Sequence, residues 1–139
     1  MKKLILAISV FILFGSSFAN AEQVYYCSSE IATGFKKDKK TGKWGQRNFI
    51  LERYTIKFND DYTKLDGVDN VEKWDCFKAY TYSIGTENLR ICHHSFNSGK
   101  LFQFNRKSLR FLYAETPATG FLENGPDTNT IFAGTCQKY

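Results

Sequence analysis

Leu101-Phe102-Gln103-Phe104-Asn105-Arg106-Lys107-Ser108-Leu109-Arg110-Phe111-Leu112-Tyr113-Ala114 decides the fold class. Side chains alternate across a strand, so Phe102 and Phe104 share one face of the first half. Arg106-Lys107 turns the chain. Leu109, Phe111 and Tyr113 then repeat the same period of two. Upstream, Asn97-Ser98-Gly99-Lys100 is a hairpin signal. It is preceded by a strand over Asn88–His94, a turn at Gly85-Thr86-Glu87, and a strand over Cys76–Ile84. That strand would put Cys76, Lys78, Tyr80, Tyr82 and Ile84 on one face. Residues 66–75 are polar and acidic and read as loop or a short helical turn. Tyr62–Leu65 reads as a short strand ended by Asp66-Gly67. Phe49–Phe58 reads as a strand that alternates in its second half, with Tyr54, Ile56 and Phe58 opposite Thr55 and Lys57. Val24–Ile31 is the first strand, and 35–48 a hairpin with its tip at 36–43 and Gly42 as turn residue. Downstream, Pro117 and Pro126 mark a long loop over 115–129, because proline is excluded from inner strands. Thr130–Lys138 is the last strand. Strands at this spacing, joined by short connections, predict a single all-β antiparallel meander, barrel or sandwich, of about eight or nine strands.

The N-terminus has a different character. Met1-Lys2-Lys3, the apolar run Leu4–Phe14 and the small-residue site Ala19-Asn20-Ala21 have the three-part form of a secretory signal peptide. The run is too short to span a membrane, which takes about 20 residues. Cleavage after Ala21 would divide the chain into a signal peptide at 1–21 and one all-β domain at 22–139. No transmembrane segment would be left in the mature chain. Without Lys2 and Lys3 the 19 basic residues become 17 against 14 acids, a net +3 in place of +5. Twenty of the 23 aromatics stay with the mature domain. That supply suits a half-buried pleated surface and a real core. These features exclude a cytosolic, a multidomain and a polytopic membrane protein, and they predict a periplasmic or secreted one.

All four cysteines fall in the mature part, and export permits disulfides. Four cysteines allow three connectivities, which spacing alone does not separate, and free buried thiols are a further possibility. The preferred reading pairs Cys27 with Cys136, first strand to last, and Cys76 with Cys92 across a short turn. Joining first and last strands would fit a closed barrel.

Val24-Tyr25-Tyr26-Cys27, Ala133-Gly134-Thr135-Cys136-Gln137-Lys138 and the strand Arg53-Tyr54-Thr55-Ile56-Lys57-Phe58 resemble small exported proteobacterial proteins of unassigned function. The resemblance covers mainly the ends of the domain. It implies an exported β domain with paired terminal strands, and it implies no activity and no site residue.

Three features could carry chemistry. His93-His94 is the first. Neighbours in a strand face opposite ways, so the two cannot share one metal while the strand continues. One is expected to be partly buried and the other exposed; the rival is a small hydrolase using either as base. The second is the basic tip. Lys36, Lys37, Lys39, Lys40, Lys43 and Arg47 face only Asp38, a local +5 that leaves the rest of the mature chain at −2. With Trp44 and Phe49 beside it, such a tip suits anionic lipid headgroups or another anionic envelope component. It would also serve simply as a solvated tip that blunts edge pairing. Export argues against nucleic acid. The third is the loop 115–129, with Glu123, Asn124, Asp127 and Asn129, since long loops on a rigid β scaffold often carry recognition.

Acids at 60–75 follow no calcium-loop or glycosidase pattern, and the chain has no metal-ligand spacing, nucleophile elbow, Walker loop or dinucleotide fingerprint. No metal or cofactor is expected. The aromatic faces carrying Tyr80, Tyr82, Phe102, Phe104, Phe111 and Tyr113 read as core; the rival is a cavity for a small apolar ligand or lipid. The reading is therefore a non-enzymatic binding or structural module, disulfide-stabilised, with a carrier barrel and a hydrolase as rivals.

Overall fold

A computed structural model describes residues 22–69, 74–79, 86–94, 99–117, 120–125 and 127–139. The signal-like segment 1–21, the tip of the 94–99 hairpin and the aromatics Tyr80 and Tyr82 lie outside these residues. The described residues form nine strands: β1 (Gln23–Lys37), β2 (Trp44–Asn48), β3 (Arg53–Phe58), β4 (Lys64–Asp66), β5 (Trp74–Lys78), β6 (Leu89–His93), β7 (Lys100–Asn105), β8 (Arg110–Glu115) and β9 (Asn129–Lys138). A 3-10 turn, Thr86–Asn88, precedes β6.

Every neighbouring pair is antiparallel. From β3 to β9 the sheet follows chain order, and β1 closes it by pairing with both β3 and β9. The result is an eight-stranded barrel with β2 as an extra strand on the outer half of β1. Of the two predicted architectures the closed barrel is the one formed, and closure removes the free edges that a sandwich would have to protect.

β1 is longer than its sequence pattern suggests. Its first half pairs with β3 and its second half with β2, while β9 runs along both. The register slips between Ser29 and Ile31, a bulge that places Glu30 and Ile31 both outward. Tyr25, Cys27 and Ser29 face inward before it; Ala32 and Gly34 face inward after it. The bulge thereby turns Ile31 and Phe35 to solvent. Opposite it, a Cβ on Gly134 would overlap the Ser28 carbonyl oxygen, so β1 and β9 can approach this closely only with glycine there.

The alternation expected in β3 is present: Tyr54, Ile56 and Phe58 are buried and Thr55 and Lys57 exposed. Phe58, Phe102, Phe104, Trp74, Ile56 and Leu65 are the largest fully buried side chains. Phe102 stacks on Phe111 at 5.6 Å, Phe58 on Phe104 at 5.4 Å and Tyr113 on Phe132 at 6.0 Å between ring centroids. The described members of the aromatic set therefore fill the barrel as core.

Several expected boundaries shift. The strand predicted from Phe49 begins at Arg53. Tyr62 precedes β4 in a turn, at φ 60°. Leu109 sits in the β7–β8 turn at φ 56° yet still packs on the core. Trp74 and Asp75, read as part of a polar loop, begin β5, and Trp74 is fully buried. Its flanking acids masked a core residue.

Both disulfides form between directly opposed residues, Cys27–Cys136 across β1/β9 and Cys76–Cys92 across β5/β6. The first spans 109 residues and closes the barrel seam covalently.

Candidate functional site

The antiparallel registers bring the β1–β2 hairpin, the ends of β4, β6 and β8 and the starts of β3, β5, β7 and β9 to one end of the barrel. Three features of that hairpin end adjoin each other.

The basic tip is built on Asp38. Its carboxylate accepts hydrogen bonds from the Lys40 and Thr41 backbone N–H groups and the Thr41 hydroxyl, at 2.8–3.1 Å. Gly42 completes the turn at φ 68°. The Thr41 and Lys40 amide bonds, and then the Thr41 hydroxyl, hold the Asp38 carboxyl below its ordinary value. The long loop after β8 is pinned to this hairpin. Lys37 Nζ donates to the Asn124 carbonyl at 2.8 Å, and the Trp44 indole N–H donates to Asn124 Oδ1 at 3.0 Å. Phe121 packs edge-on against Trp44 at 5.5 Å and beside Phe35 at 6.1 Å. The sequence singles out the tip and the 115–129 loop separately; the structure brings them into contact. Lys36, Lys39, Lys40 and Lys43 are exposed around it.

Beside the tip runs an apolar groove of about 300 Å³, lined by Gly34, Phe35, Thr116, Phe121, Leu122, Asn129, Thr130 and Ile131. Phe35, Phe121 and Leu122 are 51%, 53% and 82% exposed, and Ile50 and Leu51 on the adjoining loop are also exposed. Sequence reasoning missed this groove. Phe121-Leu122, an apolar pair inside a Pro/Gly loop, was the available signal. The exposure of Phe35 depends on the β1 bulge, which no local pattern announced.

Within the mouth is a cavity of about 440 Å³, lined among others by Glu52, Asp69, Lys100, Tyr113, Glu115 and Thr130. Lys100 Nζ pairs with Asp69 at 2.8 Å and Glu115 at 3.3 Å, and its side chain is only 14% exposed. Burial opposes the Lys100 charge, but these carboxylates outweigh it and raise its pKa. Tyr113 is pushed up to about 12, first by burial and then by Glu115. The Thr130 hydroxyl and the Trp74 indole N–H are buried without a hydrogen-bond partner.

The histidines divide as strand geometry requires. His94 is 9% exposed and packs against Trp74 at 5.9 Å. His93 faces the outer wall beside Phe77, across from Asp75, whose carboxylate pairs with Lys64. The two side chains thus lie on opposite sides of the barrel wall. No group of three or more His, Cys, Asp and Glu among the described residues is arranged to hold a metal. No helix among them is long and apolar enough to cross a membrane.

Fold and site together define a disulfide-closed, eight-stranded antiparallel barrel with a basic, partly apolar hairpin end. Comparison with family models, with curated proteins and with solved structures finds no match to this chain.

Proposed function

We propose that this protein is an exported, non-enzymatic binding module that docks on an anionic lipid surface through its hairpin end. One observation carries the reading: exposed Phe35, Phe121 and Leu122 border a tip with six basic residues and one acid. Interfacial binding needs this pairing. Apolar side chains enter the headgroup boundary while lysines meet anionic lipid, each worth about 1 kcal/mol near such a surface. Trp44 packs against Phe121 in this patch, and aromatic rings favour the membrane interface. The signal-like segment 1–21 and two disulfides support export to an oxidising compartment. The resemblance to small exported proteobacterial proteins points the same way.

The test is cosedimentation with phosphatidylglycerol vesicles and with phosphatidylcholine vesicles. Binding should require the anionic lipid, weaken with salt, and fall on charge reversal at Lys37, Lys39 and Lys40 or on Leu122→Glu. Equal binding to neutral vesicles, or none to either, rejects lipid docking.

A second reading rests on the mouth cavity and its unpartnered Thr130 hydroxyl. It is the carrier reading, shifted by the Lys100–Asp69–Glu115 lining from an apolar ligand to a small polar one. Native mass spectrometry of protein purified from its own host distinguishes it, since a bare mass rejects a carrier.

A further inference from the structure

The opposite end of the barrel presents a different chemistry. Arg90 shares its face of β6 with fully buried Cys92 and pairs across the ladder with buried Phe104, so its side chain is directed to the barrel side of the sheet. An inward-facing charge on a barrel strand is costly unless something compensates it. Arg90 Nη1 donates to the Glu87 and Leu89 carbonyls at 3.1 and 3.2 Å, which orients the guanidinium. Arg106 comes from the β7–β8 turn, anchored by its own N–H on the Asn88 carbonyl at 3.0 Å. Its guanidinium carbon lies 4.1 Å from the centroid of the Tyr62 ring, and that of Arg90 lies 5.9 Å from the same centroid.

Two guanidinium groups thus share one aromatic platform. The platform itself is fixed. Tyr62 is buried, its ring lies against Phe58 at 5.1 Å, and its hydroxyl is hydrogen-bonded to that of Tyr25 at 2.6 Å. Among the described residues no carboxylate pairs with either arginine; Asp60, Asp61 and Glu87 in the adjoining turns form no ion pair with them. Burial, and then the charge of Arg106, depress the pKa of Arg90.

The two like charges repel each other, and the Tyr62 ring offsets that repulsion only in part. Each planar fork can donate two parallel N–H groups to oxygens. A carboxylate satisfies one fork. A tetrahedral dianion offers oxygens and charge to both. We infer that Arg90 and Arg106, on the Tyr62 platform, form a receptor for phosphate or a phosphate monoester at the end of the barrel remote from the hairpin.

The test is NMR of the arginine Nε–H resonances in the purified protein at constant ionic strength, titrated with inorganic phosphate, with glycerol phosphate and with chloride. The Arg90 and Arg106 resonances should shift saturably with a phosphate species and not with chloride. Saturation by inorganic phosphate assigns the free anion; saturation by glycerol phosphate alone assigns an ester. Arg106→Gln should raise Kd about tenfold or more, as loss of a charge-assisted hydrogen bond requires. Arg106→Lys should also weaken binding, because lysine keeps the charge and loses the fork. Arg53→Gln, on the exposed face of β3, should leave Kd unchanged. No saturable shift with either phosphate species, or an unchanged Kd in Arg106→Lys, overturns the inference. Neither outcome depends on Arg106→Gln folding.

Discussion

Tyr25, Tyr54 and Tyr113 are buried phenols, and burial is the first cause of the raised pKa of each. A phenol held above its ordinary value near 10 favours the fold while it stays protonated. For Tyr113 that contribution is complete below pH 10 and is lost as pH rises to about 12. Lys100 is also raised, so its contribution fades in the same direction. The melting temperature should therefore fall steeply between pH 10 and about 12, and Tyr113→Phe should flatten that fall. Thr130 gives a second prediction at this scale. Its buried hydroxyl has no partner, and replacing an unsatisfied polar group by an isosteric methyl is neutral or stabilising. Thr130→Val should leave urea stability unchanged or raise it by about 1 kcal/mol. A loss of that size would mean the hydroxyl is bonded in solution. Phe104→Ala, by contrast, removes a fully buried ring that touches both Tyr25 and Phe58. It should cost about 3–5 kcal/mol in the same measurement.

At the level of elements, legibility followed periodicity. β3, β7 and β8 alternate cleanly, and their buried faces were readable from side chains alone. The tight turns around Gly42 and Gly67 were readable from residues that tolerate positive φ. What stayed hidden depends on pairing rather than on local sequence. The bulge at Ser29/Ile31 is fixed by β9, so the outward turn of Ile31 and Phe35 cannot be seen in β1 by itself. Trp74 reads as loop until Leu65 is known to lie opposite it. The inward direction of Arg90 likewise follows only from the parity of Cys92 and the position of Tyr62. The candidate site was half legible: tip and loop were each singled out, but their contact through Asn124 and Phe121 was not. β2 pairs only with β1 and contributes no fully buried side chain. Replacing 38–43 by a two-residue Asn-Gly turn should therefore leave far-UV circular dichroism and the barrel intact. It should abolish binding to anionic vesicles.

For the whole molecule, closure and charge separation act together. The +5 tip projects at one end, the arginine pair lies at the other, and the barrel between them is filled with aromatics. The two disulfides hold this shape. On the chain-entropy model the 109-residue span contributes about 4–5 kcal/mol and the 16-residue span about 3 kcal/mol. Their sum is comparable to the whole stability of a typical domain. Reduction should thus unfold the protein near 37 °C, read as loss of near-UV circular dichroism. Alkylation without reductant should add no label, and alkylation after reduction in denaturant should add four, one for each of Cys27, Cys76, Cys92 and Cys136.

The seam between β1 and β9 also sets an order of events. Of these four thiols Cys27 is synthesised before the others and Cys136 after them, and the Cys76–Cys92 bond is nested inside their loop. A chain oxidised as it emerges would join consecutive thiols, Cys27 to Cys76, and would have to exchange that bond later. Reshuffling of this kind takes seconds to hours unless catalysed. Under such oxidation the native pairing is reached faster with a disulfide isomerase, or directly when oxidation waits until β9 has arrived. The nested pairing makes the yield of this barrel a matter of timing as much as of stability.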